Sequence, residues 1–286
     1  MKFRARIGSK ENLLILLNVS TLFEKIGETC VLLLSDTSLR ISLVLSDTSS
    51  VPRCYADLQC ATIFNEWKIE SQNENNVILF EIGLTQLSRA LTSGKMSSNS
   101  QLKLVKRDNS PCLCFETNAH ESSLSIDVTH DIPIKILKSS DLLYHLPPQM
   151  SSPSVALDLP HKTRLMKTIV ERMAKLSKYV HMTASQTGRL VLRAEHSSAV
   201  IKTFFNGLQP RYVGELNALT SAENEATVKL NLRTLSVVMN VQTLAMENAS
   251  IYITEGELVL MHVSLSPSRV GSITYYIPVL ISDDGL

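Results

Sequence analysis

The chain has 286 residues, of which 44% are hydrophobic and 19% charged, and its formal net charge is +1. That composition excludes a disordered chain and a uniformly basic nucleic-acid coat, so any polyanion site has to be local. The length predicts two domains.

Five cysteines, at 30, 54, 60, 112 and 114, all lie in the first half. Their odd number, with no long apolar core in the opening MKFRARIGSK, predicts reduced thiols in an intracellular protein. The longest apolar runs, 13–17 and 31–34, are too short to span a bilayer.

Phe3, Ala5 and Ile7 alternate with Lys2, Arg4 and Arg6, the period of a half-buried strand. Ser9 then caps a predicted helix over 10–26, and Gly27 closes it. Strands are predicted at 30–34 and 39–45, at 54–60, as a short segment at 64–69, and at 77–82. The pentapeptide LSDTS at 34–38 recurs at 45–49, as reused turn chemistry. A second helix at 84–91 turns Leu84, Leu87, Ala90 and Leu91 inward and Arg89 outward. A Gly/Ser loop at 93–100 and strands at 102–106, 112–117 and 124–128 complete the half. Residues 131–153, rich in Pro and Ser, are a predicted interdomain connector.

The pattern then starts again. Val155, Leu157 and Leu159 alternate, and residues 161–178, HKTRLMKTIVERMAKLSK, follow as an amphipathic helix. Leu165, Ile169, Met173 and Leu176 are predicted on its apolar side, widened by Met166 and Val170. Arg164, Lys167, Glu171, Lys175 and Lys178 take the opposite side. Six Lys/Arg against one acid give this stretch +5, while the whole chain carries only +1. His161 and Lys162 begin the helix at the end that disfavours cations, which suggests that the charge answers to something outside the helix. Strands at 179–185, 190–195, 199–205 and 227–232, a helix at 232–244, and strands at 251–254, 257–265 and 273–280 follow.

Each half therefore runs strand, helix, three strands, strand, helix, three strands, an α+β order repeated over about 130 residues. If the units are alike, four helices share one concave face, the basic one among them. No phosphate-binding loop, nucleophile elbow or zinc spacing is present, and His130 beside Asp131 fits a structural pair better than a catalytic dyad. No catalytic residue, metal or cofactor is predicted. An enzyme with an unrecognised site and a membrane-surface or calmodulin-binding helix are the competing classes. The helix's place inside a regular repeat disfavours the latter.

Several stretches carry a family resemblance: MKFRARI at 1–7, VTHDIPIKIL at 128–137 and TYYIPVL at 274–280, supported by FNEW at 64–67, LSRAL at 87–91, SPCLCFE at 110–116 and TIVERM at 168–173. Over essentially its full length the chain resembles the Hus-type subunit of the heterotrimeric nine-one-one DNA-damage checkpoint clamp, of the sliding-clamp superfamily. The resemblance implies the DNA-clamp fold in two tandem domains, 1–130 and 154–286, joined by the connector 131–153, with helices lining a ring. It implies a nuclear, non-catalytic subunit that closes a ring with two other clamp-like subunits. A clamp loader would place that ring on DNA, and repair and checkpoint proteins would dock at 131–153. No membrane partner is implied. Duplex DNA, bound without sequence preference, would face Arg164, Lys167, Lys175 and Lys178, with Arg172 on the flank and Lys10, Lys25, Arg89 and Arg233 on the other helices. By analogy with clamps, residues 122–128 and 198–205 would pair with neighbouring subunits. A homotrimeric processivity clamp shares this fold, but VTHDIPIK and YYIPVL favour the checkpoint subunit.

Overall fold

The computed structural model of the chain describes residues 1–44, 51–73, 75–97, 99–121, 124–160, 163–197, 199–211, 225–267 and 269–280. The second LSDTS copy, His161, Lys162, Ser122 and Ser198 lie outside these residues, as does most of 206–225, which the sequence predicts as a polar loop. The chain forms two compact units. One comprises Met1–Val44, Cys54–Pro147 and Pro267–Ser272, and the other Leu45–Arg53, Pro148–Ser266 and Ile273–Leu286.

The first unit contains β1 (Lys2–Ile7), α1 (Lys10–Glu24), β2 (Thr29–Leu34), β3 (Ser38–Leu43), β4 (Arg53–Gln59), the short α2 (Cys60–Ile63), β5 (Phe64–Glu70), β6 (Ile78–Gly83), α3 (Leu84–Ser93), β7 (Asn99–Arg107), β8 (Ser110–Glu121) and β9 (Leu124–Ile136). β1 alternates exposed and buried residues as the sequence predicts. Ser9 is the N-cap of α1, its side chain accepting from the Asn12 N–H. α1 buries Leu13, Leu16, Leu17, Leu22 and Phe23, and α3 buries Leu84, Leu87, Ala90 and Leu91. The two helices pack against each other. The strands run in the orders β4-β3-β2-β6 and β9-β8-β7-β1-β5.

The second unit contains β10 (Val155–Asp158), α4 (Thr163–Ala174), β11 (Tyr179–Ser185), β12 (Arg189–His196), β13 (Ala199–Phe205), β14 (Gln209–Pro210), β15 (Glu225–Asn231), α5 (Leu232–Val238), β16 (Met246–Thr254), β17 (Leu258–Leu265) and β18 (Gly271–Pro278). Its strand orders are β13-β12-β11-β15 and β18-β17-β16-β10-β14. These match the first unit position for position, so the repeat is one of topology.

Each unit has one more strand than the predicted repeat order: the short segment at 64–69 is a full strand, β5, and β14 was not predicted. β5 pairs antiparallel with β1, and β14 pairs antiparallel with β10. β14 is two residues long and has no periodicity for a sequence to reveal. β9 is longer than the strand predicted at 124–128: it continues through Asp131 to Ile136, alternating buried Ile132 and Ile134 with exposed Asp131, Pro133 and Lys135. Pro133 is tolerated because it ends the β8 ladder, at Cys112↔Pro133, and from Ile134 the strand pairs with β6 instead. The second predicted helix of the second half is α5 to Val238 and then a 3-10 turn over Met239–Thr243.

None of the five cysteines is in a disulfide, and all are buried. Burial pushes the Cys30 and Cys54 thiols well above the ordinary value and Cys60 up to about 11. A thiol-exchange reagent at neutral pH should therefore label almost none of them in the native chain and all of them in denaturant, because the thiolate is the reacting form. Rapid native labelling at Cys30 or Cys54 would contradict this packing.

Candidate nucleic-acid interface

Helix α4 is placed by Thr163, Met166, Val170 and Met173, all buried. These recur three or four residues apart and lie on one side of a helix. At 100° per residue the opposite side falls on Arg164, Thr168, Arg172 and Lys175, with Leu165 and Leu176 beside them. Arg164, Arg172 and Lys175 are exposed, as are Leu165 (64%) and Leu176 (44%). Both leucines had been expected on the packed side. The buried stripe runs through Thr163 instead, and a threonine is invisible to an apolar pattern.

The helix is also shorter than predicted. It stops at Ala174, where the Leu176 and Ser177 N–H groups both donate to the Met173 carbonyl, a tightened last turn. Lys175 and Lys178 therefore lie beyond it. The Lys178 ammonium sits 5.1 Å from the centre of the Tyr179 ring. Lys167 is half-buried at 19% side-chain exposure, and its Nζ is 3.4 Å from the Glu171 carboxylate. An i,i+4 pair of this kind neutralises the cation within its own helix.

The remaining candidates are dispersed. Lys10 is the first residue of α1 and Lys25 follows its end, both exposed. Arg89 is exposed on α3. Arg233 is exposed on α5, its N–H held by the capping side chain of Asn231 at 2.9 Å. Acids offset the basic residues of the first unit, with Glu11 exposed on α1 and Glu28 exposed just after it. α4 packs on α5 and on the 3-10 turn after it, so Arg164, Arg172, Lys175 and Arg233 belong to one helical layer.

Among the described residues, two strand edges stand out by their exposed apolar side chains. β13 ends its four-stranded order, and β9 has only β8 beside it over 124–133. Ile126 on β9 and Val200 and Phe204 on β13 are exposed at 41%, 55% and 49%. Unpaired edges with apolar side chains invite another chain.

The first unit also carries a cleft that the sequence reading missed. Val31, Leu33 and Leu79 form an apolar cluster on β2 and β6, covered by Val77 and by Leu137 and Leu142 from the segment after β9. The adjoining opening of about 390 Å³ is lined by Gln72, Asn73, Asn75, Val77, Leu79, Ser139 and Leu142. Beside it Leu143 and Tyr144 are 77% and 75% exposed. The signal was present in the apolar Leu142-Leu143-Tyr144 run inside a polar connector.

His130 and Asp131 are engaged separately. The His130 Nε2 is 2.9 Å from the Ser93 hydroxyl, while Asp131 accepts from Arg107 at 2.9 Å. Being neighbours on one strand, the two point to opposite faces, which rules out a dyad. Among the described residues no group of three or more His, Cys, Asp or Glu could hold a metal ion, and no helix is long and apolar enough to cross a membrane.

Residues 1–281 match the family model of the Hus1-like proteins. The human checkpoint protein HUS1 is 30% identical over 284 residues, covering 98% of this chain and 100% of that protein. The checkpoint protein hus1 homolog of Dictyostelium discoideum is 28% identical, with 99% and 100% covered. Hus1 of Schizosaccharomyces pombe is 25% identical, with 98% and 100% covered. Among solved structures, the proliferating cellular nuclear antigen of Entamoeba histolytica superposes with a TM-score of 0.71 at 13% identity, covering 98% of this chain and 99% of that one. The shared topology is thus that of a sliding clamp, which agrees with the repeated units and their helical layers. The chain belongs to the Hus1-like family, that of non-catalytic DNA-damage checkpoint proteins with a clamp fold.

Proposed function

We propose that the chain is one of three different subunits of a ring that encircles duplex DNA at sites of damage in the nucleus. A clamp loader places the ring, and checkpoint and repair proteins then use it as a platform. The unpaired edges of β9 and β13, each carrying exposed apolar side chains, are the observation that carries this reading. A chain of this fold with an exposed strand at each of two edges needs neighbours on both, and a closed ring supplies them. Residues 1–130 and 154–286 act as the clamp domains. Residues 131–153 serve as the connector, whose first six residues complete β9.

Within that reading Arg164, Arg172 and Lys175 are the leading contacts to phosphate, supported by Arg233 and by Lys10, Lys25 and Arg89. Lys167 and Lys178 contribute less, since Glu171 and Tyr179 already engage them. Contacts of this kind carry no sequence information and let the ring slide. The cleft beneath Leu142 is the docking site for partner peptides, whose apolar anchors would meet Val31, Leu33 and Leu79. Co-expression with two other clamp-like chains, followed by native mass measurement, tests the assembly. A 1:1:1 trimer is expected. A stable homotrimer of this chain alone would overturn the reading in favour of a processivity clamp.

A further inference from the structure

The sheet β13-β12-β11-β15 has two unlike faces. Val180, Met182, Ala184, Leu190, Leu192, Ala194, Val228 and Leu230 turn inward and are buried. On the other face the register aligns four basic side chains in a straight row. Lys202 of β13 stands opposite Arg193 of β12, Arg193 opposite His181 of β11, and His181 opposite Lys229 of β15. Directly opposed residues share a face, with Cβ atoms about 5 Å apart. Arg189, four residues before Arg193 on the same strand, adds a fifth basic group to this face.

Two acids share this face, Glu195 and, at the far end of β15, Glu225, four residues before Lys229. Glu195 pairs with Arg193. Among the described residues Lys202, Lys229 and Arg189 have no ion pair. Like charges directly opposed across strands repel, and an anion lying across the row would relieve that repulsion.

The row also indicates which anion. The two aromatic rings on this face already carry cations. Lys178 and Lys229 lie 5.1 and 5.2 Å from the Tyr179 ring centre, and the Arg189 guanidinium lies 5.2 Å from that of Phe204. Single-stranded nucleic acid gains much of its affinity by stacking bases on free aromatic faces, and each of these rings already has a cation beside it. An extended polypeptide needs no such platform. Its alternate side chains recur about every 7 Å, and the row spans three strand spacings, about 14 Å. Two or three alternate carboxylates match that length.

We propose that the solvent face of β13-β12-β11-β15 docks an extended, glutamate- or aspartate-rich segment of a partner protein, lying across the row Lys202, Arg193, His181 and Lys229. The proposal requires neither DNA nor a ring, so it stands or falls separately from the encirclement reading.

The test is fluorescence anisotropy of a labelled decapeptide of alternating Glu and Ser, titrated with the full chain at low salt. Lys202→Glu with Lys229→Glu should weaken binding about tenfold or more, since two surface attractions become repulsions. Lys202→Gln with Lys229→Gln should weaken it less. Lys106→Glu, which removes an exposed cation from the first unit, should leave it unchanged, and circular dichroism checks that each variant is folded. Failure of the peptide to bind would overturn the proposal, as would equal loss from Lys106→Glu. A single-stranded oligothymidylate that bound more tightly, and lost that binding on reversal of Lys202 and Lys229, would overturn it in favour of a nucleic-acid surface.

Discussion

Reversing Arg164, Arg172 and Lys175 to glutamate should leave the clamp assembled and strip most of its retention on closed circular duplex. These side chains are the exposed cations of α4 and its last turn with no acid partner among the described residues. Each phosphate neutralised contributes about 0.9 to the slope of log affinity against log salt, so losing three should flatten that slope by about 2.7. The side chains are exposed and the helix packs through Thr163, Met166, Val170 and Met173, so folding should change by less than about 0.5 kcal/mol per site. Arg164 sits in the first turn, where the macrodipole disfavours a cation and no acid compensates. Its reversal should slightly stabilise the isolated chain while weakening DNA retention, a split that a merely structural residue would not give. Reversal of Lys167 or Lys178 should cost less, because Glu171 and the Tyr179 ring already hold them. Equal losses at all five positions, measured as half-life on closed circles against linear DNA, would mean that the exposed side of α4 does not line the path of the duplex.

The distinction among those lysines was out of reach of the sequence. Apolar spacing in 163–176 supports two overlapping stripes, one through Leu165, Ile169, Met173 and Leu176 and one through Met166, Val170 and Met173. Packing chose the second and completed it with Thr163, which turned the two leucines to solvent. The sequence pattern did carry β1, the Ser9 cap and the doubling of the unit, because alternation and capping are local. It undercounted the strands because β14 exists only through its pairing with β10. It also closed the first half too early, since a proline in an apolar alternation looks like an end. The handover of β9 from β8 to β6 makes Pro133 harmless. The row from Lys202 to Lys229 was hidden for the same kind of reason. Its members come from four strands, and only their register brings them into line.

Replacing Phe115 by alanine should cost the first unit about 3–5 kcal/mol, a loss of two to three and a half decades in its folding equilibrium. Phe115 is fully buried on β8, opposite Leu102 of β7 and His130 of β9. The space around its ring is already closed. A Cβ added at Gly94, after α3, would come within 2.8 Å of the Phe115 Cζ and 2.9 Å of the Leu13 Cδ2 of α1. The ring therefore fills the point where α1, the end of α3 and the sheet meet, and little is free to collapse into the cavity its loss would leave. The single tryptophan, Trp67, lies on β5 of this unit with its indole N–H donating to the Asp36 carbonyl at 2.9 Å. Its fluorescence in urea thus reports from within the first unit. Gly94→Ala makes the converse test. In the parent chain the added methyl overpacks the site and should cost about 1–3 kcal/mol. In the Phe115→Ala background it should cost less, because the cavity accepts it, although the Leu13 contact remains. The coupling between the two changes should be about 0.5–3 kcal/mol and favourable. Strict additivity would show that Phe115 and Gly94 do not share that space, and a loss under about 1 kcal/mol for Phe115→Ala would show that the junction is not close-packed around the ring.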